Sequence, residues 1–172
     1  MTPILKVTMG LGGGIFLLVA ALLIVPRLQP AQIVSTGPGV KVAFDAALAG
    51  QGKQLFANRY ACSVCHQVSS AGVSGASVGP DLSRVLLAQV PQGTRPELNP
   101  LEKWMKEKGL ARPEDDPEKA AGLVTQYLAN PPDYSSTMKG QVLRFKDTAG
   151  GDDAWLKDVK AIVELLKQAA TK

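Results

Sequence analysis

Histidine and cysteine are nearly absent from this 172-residue chain, which has one His and two Cys. A structural zinc site of four cysteines, or of two cysteines and two histidines, therefore cannot be built within it. Aromatic residues are also few, at two Trp, three Tyr and four Phe, a small stock from which to build an apolar core. No stretch alternates apolar and polar residues convincingly, so no sheet is expected, and no internal repeat appears. Excess charge of one sign is slight as well. The chain is +4 at neutral pH, but Lys6 and Arg27 belong to its N-terminal end, and the remainder carries 17 basic against 15 acidic residues. That balance excludes the strong electrostatic footprint of a nucleic-acid-binding protein.

The scarce residues are concentrated in one place, Cys62-Ser63-Val64-Cys65-His66. C-x-x-C-H is the spacing of a c-type haem attachment site. Both sulfurs would add to the porphyrin vinyl groups, and His66 would donate Nε2 to the iron as proximal ligand. A thioredoxin-like C-x-x-C would need an alternating β/α pattern, which is lacking. A plain disulfide would leave His66 without a role. Two cysteines account for one haem with none left over.

From Val7 to Val25 the chain is uncharged, long enough for about 28 Å of helix at ~1.5 Å per residue, close to a bilayer core. A cleaved signal peptide is the alternative, with Lys6 as its positive region, but Pro26-Arg27-Leu28-Gln29-Pro30-Ala31 offers no clean small-x-small cleavage site. Residues 1–27 are read as a transmembrane anchor. Gly10 and Gly14 have the small-xxx-small spacing that lets two membrane helices approach, although glycine is common in such helices in any case. Residues 28–44, with two Pro and two Gly in Pro30 to Gly39, read as an extended linker, able to reach tens of ångströms at roughly 3 Å per residue.

Residues 45–172 have the length of one domain. Asp45 to Arg59 carries Ala46, Leu48, Gly52, Leu55 and Phe56 near helical spacing and runs into the cysteine motif. Pro117 to Leu128 reads as a helix capped by Asp116, with Ala121, Val124 and Leu128 inward. Asp153 to Ala170 places Trp155, Val159, Ile162, Val163 and Leu166 on one stripe, with Asp152 or Asp153 available as cap. Leu101 to Lys108 is a charged helical pattern in which Met105 reads as packing.

With these elements in place, the chain resembles class I cytochrome c. Val78-Gly79-Pro80-Asp81-Leu82 is similar to that family's G-P-x-L turn, and Gln126-Tyr127-Leu128-Ala129-Asn130-Pro131 to its Y-L-x-N-P stretch, which leads towards Met138. The resemblance implies an all-α cytochrome c domain, here preceded by a single transmembrane helix, with one covalent haem c. It further implies that Pro80 accepts a hydrogen bond from His66 Nδ1, that Met138 is the sixth iron ligand, and that Tyr127 lies near the methionine sulfur. Two departures stand out. The stretch from Ala88 to Pro117 is longer than a compact member needs, with Trp104 as a candidate propionate partner. Met138 is expected in a polar loop, and the residues before it read Ser135-Ser136-Thr137.

A haem with both axial positions filled has no place for a substrate, so the expected function is single-electron transfer without catalysis, by a cytochrome subunit of an electron-transport complex. Thioether attachment occurs outside the cytoplasm in the systems this motif resembles, which would put the domain on the periplasmic face of the cell membrane. Expected partners are membrane proteins of quinol-oxidising or terminal-oxidase complexes in respiration or photosynthesis; the monohaem subunit of alternative complex III is one type the chain resembles. No nucleic-acid partner is expected. Lys139, Arg144 and Lys146 are candidates for guiding an acidic redox partner. The alternatives are a tethered free carrier, or a five-coordinate haem acting as gas sensor or peroxidase.

Overall fold

A computed structural model describes residues 41–76, 78–87 and 99–172. The expected anchor, its glycines and the linker up to residue 40 lie outside the described residues, as do residues 88–98 of the long stretch before Pro117. Among the described residues the chain is helical, with no strand and only one isolated bridge, Val68 to Val73. None of these helices is long and apolar enough to cross a membrane.

Helix α1 spans Ala46–Gln54. It starts where it does because Asp45 Oδ1 accepts from the amides of Ala47 and Leu48 at 2.8 and 3.0 Å, satisfying two of the donors that a helix start leaves free. Its last turn widens into a π turn, Leu55–Arg59, which buries Leu55 and Phe56 and leads to the cysteine motif. Ala49 and Gly52 face inward, whereas Leu48 is 39% exposed.

Helix α2, Pro100–Glu107, is capped by Asn99, whose Oδ1 accepts from the Glu102 amide at 2.9 Å. Helix α3, Pro117–Ala129, begins as its sequence indicates, with Asp116 Oδ1 accepting from the Lys119 amide at 3.0 Å and proline in the first turn. Helix α4, Ser136–Ala149, was not anticipated. Met138 therefore lies in the first turn of a helix and not in a loop. The Ser-Ser-Thr composition looks loop-like, yet these residues open a helix whose apolar positions Met138, Val142, Phe145 and Ala149 recur at intervals of 4, 3 and 4.

Helix α5, Asp152–Ala170, follows the Gly150-Gly151 turn and buries all five residues of the expected stripe. Its N-cap is Gly151, not Asp152 or Asp153. Both acids instead occupy the first turn, where the helix dipole favours negative charge.

The helices pack chiefly around α5, with α1 crossing it most closely. A Cβ on Gly52 would lie 2.0 Å from the carbonyl oxygen of Ala161, so only glycine permits this approach of the two backbones. The junction is tied at its outer end as well, where the Asp45 amide donates to Glu164 Oε2 at 2.6 Å. Full burial of an aliphatic side chain such as Val159 or Leu166 contributes about 1.5–3 kcal/mol, which makes α5 the main apolar support of the domain.

Candidate functional site

The segment that delivers Cys62 is fixed from α5. Tyr60 is buried, and its hydroxyl donates to Asp158 Oδ2 at 2.5 Å. Arg59 Nη1 reaches the same oxygen at 3.2 Å. Burial and the adjacent Asp158 carboxylate push the Tyr60 hydroxyl well above its ordinary range. The ring packs edge-on to Trp155 at 5.0 Å and tilted against Phe145 at 5.2 Å. Ala61 then takes a left-handed conformation, φ 49°, and turns the chain into the 3₁₀ segment Cys62–Val64. The amides of Cys65 and His66 both donate to the Cys62 carbonyl, at 3.1 and 2.9 Å.

His66 is oriented by the return of the chain through Gly79 and Pro80. Its Nδ1 lies 3.0 Å from the Pro80 carbonyl oxygen. A carbonyl only accepts, so in the neutral ring Nδ1 carries the proton and Nε2 the lone pair. The ring lies against the backbone: a Cβ on Gly79 would be 2.4 Å from His66 Cε1. The Gly79 amide donates to Cys65 O at 2.7 Å and the Leu82 amide to Gln67 O at 2.8 Å, holding the return segment in place.

Asp81 locks the same turn. Its carboxylate accepts from the amides and hydroxyls of both Ser69 and Ser83, at 2.5 to 3.3 Å. Burial pushes the Asp81 carboxyl up, but these four hydrogen bonds outweigh it and hold the group below its ordinary value of 3.8.

Cys62, His66, Pro80, Tyr127 and Met138 all line one cavity of about 270 Å³. Its remaining walls are mostly apolar, including Phe56, Leu82, Ile162 and Leu166. Cys65 is exposed and does not line it; Cys62 is half-buried. Burial pushes the Cys62 thiol up to about 12. Tyr127 is buried, with its hydroxyl hydrogen-bonded to the buried Ser135 Oγ; burial raises the Tyr127 hydroxyl above its usual range. Met105 is 2% exposed and lies away from the cavity, in the core. Trp104 does not reach the cavity either: its indole N–H donates to the Leu123 carbonyl at 3.3 Å.

A family model described as cytochrome c matches residues 49–169. The chain belongs to the cytochrome c family. No curated protein and no solved structure matches it. A cytochrome c holds haem c covalently and transfers electrons through it. The residues present fit that group: two cysteines at the attachment spacing, an imidazole whose outer nitrogen is engaged and whose Nε2 is available, and a thioether, with an apolar cavity between Cys62, His66 and Met138 to receive a macrocycle.

Several contributors to this cytochrome's pocket were not identified as such from the sequence. Phe145 and Trp155 line the cavity, Ser135 holds Tyr127, and Tyr134, a further wall residue, donates to Glu107 Oε2 at 2.8 Å. Burial and the Glu107 carboxylate push the Tyr134 hydroxyl up to about 12. Phe145 carried a readable signal in its i, i+7 relation to Met138, and Trp155 in the apolar stripe of α5. On the surface, Lys139 pairs with Asp133, and Lys146 with Asp152 at 3.1 Å. Arg144 is exposed.

Proposed function

We propose that this cytochrome c passes single electrons as a membrane-anchored monohaem subunit of a respiratory or photosynthetic complex, with thioethers at Cys62 and Cys65 and with His66 and Met138 as axial ligands. The observation that carries the ligand assignment is the meeting of Cys62, His66 and Met138 around one apolar cavity, with Met105 buried in the core away from it. When bound, the haem supplies a ferric/ferrous couple. The protein's part is to keep both axial donors in place. Pro80 engages His66 Nδ1, which fixes the ring and selects the tautomer whose Nε2 is free to bind iron. The π turn and the Tyr60–Asp158 bond hold the attachment segment, and apolar walls exclude water. An unmoving donor set keeps the rearrangement on electron transfer small.

Carbon monoxide tests the ligand assignment. The reduced protein should resist CO, and Met138→Ala should admit it; ready binding by the wild type would support a five-coordinate sensor or peroxidase instead. The anchored-subunit reading rests on the uncharged run from Val7 to Val25 and the tether after it. Isolation from native membranes in mild detergent tests it. Co-recovery with a quinol-oxidising or oxidase complex is expected, and recovery alone with an active haem would make the protein a tethered carrier.

A further inference from the structure

Helix α2, within the long stretch before Pro117, grips the segment that carries Met138. Tyr134 stands four residues before that methionine. Its hydroxyl donates to Glu107 Oε2 at 2.8 Å, and Lys103 Nζ lies 4.1 Å from the centre of its ring. Lys103 and Glu107 are one turn apart on α2 and 4.0 Å from each other, so a single helix face presents both a cation for the ring and an acceptor for the hydroxyl. The face is firmly based: Met105 beneath it is 2% exposed, and Trp104 is bonded to α3 through Leu123 O.

The methionine segment is thus held at two points. From inside, Tyr127 holds the buried Ser135; from outside, α2 holds Tyr134. We infer that α2 is a clamp, with Lys103 and Glu107 acting as positioning residues that keep Met138 over the cavity through Tyr134. The inference rests on Met138 being an axial ligand. It gives the long stretch a role: control of how often the sixth position opens.

Lys103 and Glu107 do not line the cavity, so removing them releases Tyr134 without enlarging the pocket, a confusion that Tyr134→Ala would introduce. Both side chains are about half exposed, and the Lys103→Ala/Glu107→Ala holoprotein should fold. Purified holoprotein is compared with wild type in two ways: the rate of CO binding to the reduced form, and the temperature at which the methionine-to-ferric-iron absorption band is lost relative to unfolding. The double variant is expected to bind CO about tenfold faster and to lose the band well before its helices melt. Glu107→Gln, which retains an acceptor for Tyr134, should restore most of the wild-type behaviour. A double variant that matches wild type in both readouts would overturn the clamp while leaving the ligand assignment intact. Rapid CO binding by the wild type itself would overturn the assignment, and the clamp with it.

Discussion

At the scale of single residues, the orientation of His66 depends on a chain of small constraints. Gly79 leaves room for the ring, Pro80 engages its Nδ1, and Asp81 ties the turn to Ser69 and Ser83. Asp81 also gives the domain a defined response to acid. Its folded-state pKa is depressed, so its contribution is fully present above the ordinary value of 3.8 and is lost as pH falls through the lower folded value. Asp81→Asn should therefore be less stable than wild type at pH 6, with the gap in thermal midpoint closing as the pH is taken below 4. A gap independent of pH would contradict the role of the ionised carboxylate. Much of this residue-level site was legible because Cys62, Cys65 and His66 are contiguous. The Tyr127–Ser135 bond and the Tyr134–Glu107 bond were not, since neither short polar partner lies in a pattern that marks it, and the second spans 27 residues.

At the scale of elements, the close crossing of α1 and α5 is the feature most sensitive to volume. Gly52→Ala would place a methyl group 2.0 Å from a backbone oxygen, which neither helix can yield without sliding. Overpacking of this kind costs roughly 1–3 kcal/mol, and chemical denaturation should show a loss at or above the upper end of that range; a neutral substitution would mean that the crossing relaxes freely. Elements with a complete local grammar were readable. Helix α3 has Asp116, Pro117 and an apolar face, and α5 has an uninterrupted stripe. Helix α4 was missed because Pro131-Pro132 and Ser135-Ser136-Thr137 suggest a loop, because Gly140 weakens the helical pattern, and because Ser135 spends its hydroxyl on Tyr127 and so makes no helix cap. The fold resolves that conflict by packing: Val142 is 2% exposed, and Phe145 stacks with Tyr60 and Trp155.

At the scale of the whole molecule, the cavity lies among the residues that make the core. The pocket of about 270 Å³ is partly open to solvent and lined by core residues, so without the porphyrin its apolar walls face water instead of packing. Cys62→Ala/Cys65→Ala protein without haem is accordingly expected to lose its fixed aromatic environment and much of its helix, as read by near- and far-ultraviolet circular dichroism. Near-native spectra would show that the helices support themselves. Long-range charge plays a smaller part. The excess after Arg27 is only two positive charges, and Lys139 and Lys146 are each neutralised by a carboxylate of the same chain, leaving Arg144 as the less compensated member of the trio considered for partner docking. The bond between the Asp45 amide and Glu164, together with the Gly52–Ala161 crossing just beyond it, has a mechanical consequence. A pull applied at residue 41 meets the junction of the first and last helices before it reaches the attachment segment, so that junction stands between the N-terminal side of the domain and the haem pocket.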